Sequence, residues 1–205
     1  MRYARPLIAG SAAVLAAVLG ATAAFAATTW TIKPGGAITA SAPLASVKDT
    51  KTRSNATCDS MAAHGTFKSG SGLPGSGAGS ITAFTFNHCT SPLGVTWSLT
   101  ATDLPWHLNL SSASGGVVTG SISHMQIKLL GPSCTAVIDG TSATVGNGHV
   151  RFHYSDATSH LTTLTTGGNL HFYNVTGCAG LWNTGDPMTI SANFTVSPKQ
   201  AITSP

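Results

Sequence analysis

Four cysteines interrupt a chain that otherwise alternates apolar and polar residues, and two of them end the same kind of strand. Residues 81–89 read Ile-Thr-Ala-Phe-Thr-Phe-Asn-His-Cys, and residues 170–178 read Leu-His-Phe-Tyr-Asn-Val-Thr-Gly-Cys. Each closes a stretch opened by an earlier cysteine, Cys58 or Cys134. Four cysteines allow three pairings. The echo between the closing strands favours Cys58 with Cys89 and Cys134 with Cys178. Zinc is the rival use of four thiols, but no C-x2-C spacing occurs and no metal ligand set is assigned.

The first residues say where such a chain goes. Arg2 and Arg5 precede an Ala-, Leu- and Val-rich run over 7–20, and Ala24-Phe25-Ala26 is a small-x-small exit. That is the layout of a secretory signal peptide, residues 1–26. Its Ala-rich run points to a bacterial source, and the exported form is expected to begin at Ala27. Export places the thiols in an oxidising setting, where an even count pairs into disulfides. We therefore expect a secreted, extracellular protein with no transmembrane helix after cleavage.

Beyond the leader, period two dominates. Val95, Trp97, Leu99 and Ala101 share one face, with Thr96, Ser98 and Thr100 opposite. The same alternation recurs over Trp106–Leu108–Leu110, Val118–Gly120–Ile122, Met125–Ile127–Leu129, Val150–Phe152–Tyr154 and Met188–Ile190–Ala192–Phe194–Val196. Alternation with one apolar face is the pattern of strands covering a core. No segment sustains a 3.6-residue period. The expected fold is all-β, an antiparallel sandwich or barrel built from two disulfide-closed cassettes, with an internal duplication as a hypothesis. Its single domain spans 27–197 and a short tail spans 198–205. Residues 70–80, rich in Gly and Ser, are expected to form a mobile connection. Asn147-Gly148 is expected to form a two-residue hairpin turn.

Three segments carry a resemblance: Trp30-Thr-Ile-Lys-Pro-Gly-Gly, Gly79-Ser-Ile-Thr leading to Cys89, and Gly167-Gly-Asn-Leu-His-Phe leading to Cys178. In these the chain resembles small exported β-rich proteins of actinobacteria whose function is not established. The resemblance implies export and a β fold, and it carries over no site residue.

Composition narrows the chemistry. The chain has no glutamate, and its acids are Asp49, Asp59, Asp103, Asp139, Asp156 and Asp186. Asp103, Asp139 and Asp186 lie beside Leu-Pro, Gly and Pro, as turn aspartates do. No Gly-x-Ser-x-Gly elbow occurs. Basic residues are scattered, which argues against nucleic-acid binding. Five histidines, His107, His124, His149, His153 and His171, fall on polar strand faces. His149 and His153 lie roughly 13 Å apart along one strand, too far to share a metal through it. Trp182 sits in a turn-like stretch, Gly-Leu-Trp-Asn-Thr-Gly-Asp. Exposed there, it would stack on a sugar with Asn183 and Asp186 bonding hydroxyls; buried, it would cap the barrel end. The expected function is a non-enzymatic structural or interaction module, with a glycan or cell-envelope component as partner class and no cofactor. The rivals are a small-ligand or glycan-binding barrel and a hydrolase with an unrecognised dyad.

Overall fold

Threonine, serine and β-branched residues, spaced by glycine-rich turns, favour a pleated chain over a helix. The computed structural model describes residues 29–204; the expected signal peptide lies outside them. Every regular element among the described residues is a strand.

Eight strands close into an antiparallel barrel. They are β2 (Gly36–Asp49), β3 (Asn55–Phe67), β5 (Gly79–Thr90), β7 (Trp106–Ser114), β8 (Val117–Leu130), β10 (Gly148–Ser155), β11 (His160–Leu164) and β14 (Asn193–Ser197). Each pairs with the next in that order, and β14 returns to β2. Closure leaves this part of the sheet without free edges.

Strands β2, β3, β5 and β8 are longer than one barrel needs. The far halves of β2, β5 and β8 take different partners, β6 (Thr96–Thr102), β9 (Thr135–Asp139) and β13 (Met188–Ser191), and β12 (His171–Thr176) pairs with β9. The order there is β13-β2-β3-β5-β6-β8-β9-β12. A bridge between His171 and Pro187 joins β12 to the approach to β13, and the Met188 N–H donates to the Leu170 carbonyl at 2.8 Å. Two rings of strands thus share four long strands. Both cystines, Cys58–Cys89 and Cys134–Cys178, belong to the second ring. The expected pairing is the observed one.

The junction between the rings is written in the sequence as a change of phase. In β8, Val118, Gly120 and Ile122 face inward, and so do Met125, Ile127 and Leu129. Strict alternation cannot place both Ile122 and Met125 inside. His124 absorbs the extra residue with φ +61°, and the pairing with β10 shifts register at Gly148. Leu44 does the same in β2, with φ 56° and 72% exposure, between inward Ala42 and Ala45. Such bulges bend a strand and increase its twist.

The cores are filled. Trp106, Leu108, Phe152 and Tyr154 are buried in the first ring, and Ile127, Leu129, Phe172 and Trp182 in the second. An apolar gap of about 30 Å³ remains between Ile38, Phe67, Phe84, Ile122 and Phe194. Glycines permit this density at two places. A Cβ on Gly120 would collide with the Phe152 ring, and one on Gly131 with the Trp97 ring. Outward positions are Thr, Ser, His and Arg, as in β10, where His149, Arg151 and His153 alternate with buried Val150, Phe152 and Tyr154. A barrel facing lipid shows the reverse pattern. No helix among the described residues is long and apolar enough to cross a membrane.

Three expectations change. Residues 70–80 are not a plain connection: β4 (Gly70–Pro74) pairs with β1 (Thr29–Lys33), and Gly75 accepts a hydrogen bond from the Leu110 N–H. The tail expected at 198–205 contains β15 (Ala201–Thr203), which pairs with the other side of β1. Buried Gln200 anchors it: its side-chain oxygen accepts from the Gly35 N–H at 2.9 Å, and its carbonyl accepts from the Tyr154 hydroxyl at 2.9 Å. Lastly, Asn147-Gly148 does not turn a hairpin. β9 and β10 belong to different rings, and residues 140–147 form the loop between them. Neither residue takes the positive φ such a turn needs, and Gly148 is the first residue of β10.

Candidate functional site

Trp182, Asn183 and Asp186 lie together on the segment joining β12 to β13, at the second ring. Trp182 is 1% exposed. Its ring packs against Phe172, with centroids 4.9 Å apart, and edge-to-face against Trp97 at 5.7 Å. The stacking platform for a sugar is therefore not what the fold presents; the ring is core. The carboxylate of Asp186, also 1% exposed, is engaged too. Asn183 Nδ2 donates to its Oδ2 at 2.9 Å and Lys51 Nζ to its Oδ1 at 3.0 Å. The Asn183 hydrogen bond, opposed by burial and helped by Lys51, holds its carboxyl below the ordinary value of 3.8.

Three other aspartates are engaged as well, while Asp59 and Asp103 are exposed. Asp49 closes the tip of the β2–β3 hairpin: its Oδ1 accepts from the N–H of Lys51 and Thr52 at 2.8 and 2.9 Å. Asp156 accepts from the Ile202 N–H at 3.0 Å, and burial raises its pKa. Asp139, fully buried, gathers the 140–147 loop. Its oxygens accept from Gln126 Nε2 and from the backbone N–H of Gly140, Gly146, Asn147 and Gly148. Burial alone would push this carboxyl up, but the donors outweigh it and the pKa falls below 3.8. Sequence reasoning identified a turn aspartate here; that the turn is buried depends on β8 and β10, distant in sequence.

A pH dependence follows. Asp139 and Asp186 have folded pKa values below their unfolded ones, so their contribution is complete above the unfolded value and is lost as pH falls from there through the folded one. Asp156, shifted up, works in the opposite sense. Stability to denaturant is expected to be flat from pH 7 to about 5, then to fall below about pH 4. Asp139→Ala should cost about 2–3 kcal/mol at pH 7 by orphaning buried N–H groups, and should flatten the acid limb. An unchanged urea midpoint in this variant would refute the assigned role.

Histidines gather less than their number suggests. His107 and His124 stack with centroids 4.4 Å apart, and His149 bonds the Gly167 carbonyl. No three His, Cys, Asp or Glu side chains among the described residues form a group able to hold a metal.

One feature escaped the sequence reading. Trp97 and Trp182 both line an open pocket of about 220 Å³ between the hairpin tip, 52–55, and the turn 91–93. Both indole N–H groups are buried without a hydrogen-bond partner. Each tryptophan alone reads as core; the β5–β6 turn and the segment after β12 bring the two residues to one pocket. Comparison with known proteins adds no relative: no family model, no curated protein and no solved structure matches the chain.

Proposed function

We propose that the chain is an exported, non-enzymatic β module that acts by contact at the cell surface or in the medium. The engagement of four of its six aspartates supports this reading; the other two, Asp59 and Asp103, are exposed. Asp49, Asp139, Asp156 and Asp186 hold backbone N–H groups or Lys51, and the chain has no glutamate. A general acid or base needs a carboxyl free to exchange a proton with substrate. Asp59 approaches His88 at 3.8 Å, but both are largely exposed on a strand surface, outside any cleft. The leader-like N-terminus and two buried cystines support export. The filled interior favours contact through the outer surface over storage of a ligand inside. A glycan or another envelope component is the partner class that fits hydroxyl-bearing outer faces such as Thr96, Ser98 and Thr100 of β6.

The test is co-sedimentation of the disulfide-intact protein, from Ala27 onward, with insoluble bacterial cell-wall polysaccharide. Saturable sedimentation without release of soluble reducing ends is expected. Release of reducing ends that scales with protein concentration would overturn the non-enzymatic reading.

A further inference from the structure

We infer that the pocket beside Trp97 and Trp182 binds a small hydroxylated carboxylic acid, with Arg53 holding the acid group and the two indole N–H groups holding other ligand oxygens. This deepens the contact reading above by naming a ligand class, and it rests on that reading.

Four observations converge. First, the walls supply donors and no acid. Arg53, Ser54, Asn55, Ser91 and the two tryptophans line the pocket, and no aspartate does. Arg53 makes no salt bridge among the described residues, whereas neighbouring Lys51 is occupied by Asp186. A guanidinium is the side chain best shaped to take a carboxylate through two parallel N–H donors.

Second, the two tryptophans that line the pocket both carry a buried indole N–H with no hydrogen-bond partner. Buried donors are nearly always paired, and two exceptions beside a single pocket ask for a reason. Phe172 packs against the Trp182 ring, Trp97 and Trp182 meet edge to face, and Gly131 abuts the six-membered ring of Trp97, so neither ring stands free as a platform. The ligand is therefore gripped by hydrogen bonds, not by stacking. Both N–H atoms are closed over as the chain stands. On this proposal the turn over 91–93, which lines the pocket and leaves Leu93 79% exposed, shifts to admit a ligand oxygen.

Third, Arg53 sits at φ +65° at the hairpin tip. That conformation suits Gly or Asn, and a long side chain held in it is strained. Of the eight described non-glycine residues at positive φ, Arg53 is the one that lines this pocket. Fourth, the volume limits size. About 220 Å³ lies below the roughly 300–1,000 Å³ typical of sites for drug-sized ligands. One sugar ring fits; an oligosaccharide would enter only by its end. A uronic acid has the required features: one carboxylate, several hydroxyls and a single ring.

The experiment uses the mature protein labelled with ¹⁵N, and follows its four indole N–H signals during titration with D-glucuronate. Trp97→Phe and Trp182→Phe assign the two signals and keep the aromatic packing. Saturable movement of the Trp97 and Trp182 signals, with Trp30 and Trp106 still, is expected. Arg53→Gln and neutral D-glucose should each bind about tenfold more weakly or less, as loss of a charge-assisted pair implies. Three results would overturn the inference: no movement of either signal, equal response to glucose and glucuronate, or full affinity in Arg53→Gln. The contact reading fails separately. Sedimentation can be lost while the indole signals still respond, or persist while they do not.

Discussion

Replacing all four cysteines with serine is expected to unfold most of the chain at 37 °C. The bridges span sequence separations of 31 and 44 residues. On the chain-entropy model, each closed loop of that size is worth about 4 kcal/mol. Together they approach the whole stability of an ordinary domain, about 5–15 kcal/mol. The two bridges should not weigh equally in the native state. Cys58 and Cys89 face each other within the long β3–β5 ladder, which runs from Thr57–Thr90 to Phe67–Gly79. That ladder survives without its staple. Cys134 and Cys178 flank β9 and β12, short strands whose register is interrupted between Tyr173 and Thr176. Beyond β9, β12 is held by one bridge and a few backbone hydrogen bonds. Cys134→Ser/Cys178→Ser should therefore lower Tm further than Cys58→Ser/Cys89→Ser, and should raise amide exchange in β12 first. Melting of the quadruple variant within about 3 °C of wild type, less than about 2 kcal/mol at this chain length, would show that the bridges constrain nothing.

Local signals and long-range ones differ in how far the sequence reveals them. The alternation of Trp97 and Leu99 with Thr96 and Ser98 exposed one strand completely, because a strand's faces depend only on period two. The phase change between Ile122 and Met125 was also visible, and it marks the point where β8 leaves one ring for the other. Its meaning was not visible, since a phase change also fits two strands separated by a turn. The cystine pairing could be read from the echo of the closing strands. The β4 and β15 strands could not be read, because their apolar content is slight and their order comes from pairing with β1. Trp182 was undecidable locally: Gly, Asn and Asp around it signal a loop, and a loop can face water or fold inward. The pocket was further out of reach, since Arg53, Ser91 and Trp182 are joined only by the closure of the second ring.

Trp182→Ala should lower stability by about 3–5 kcal/mol, the usual cost of emptying a large aromatic site in a packed core. For a chain of this length that corresponds to a drop in Tm of roughly 6–20 °C. The expectation rests on what the ring touches. Phe172 packs against it from β12 and Trp97 edge-on from β6, so truncation removes a shared contact between the two flanks of the second ring. The Trp97–Trp182 pair is itself worth about 0.5–1.5 kcal/mol beyond area burial. A double-mutant cycle with Trp97→Ala should recover a coupling of that order, because the two deletions open one common cavity. Trp182→Phe separates packing from hydrogen bonding. It keeps most of the ring contact and removes the unpartnered N–H, so its stability should lie within about 1.5 kcal/mol of wild type, with any loss of D-glucuronate binding seen against an intact fold. If Trp182→Ala melts with wild type, the ring does not bridge β6 and β12, and the closure of the second ring around it would have to be abandoned.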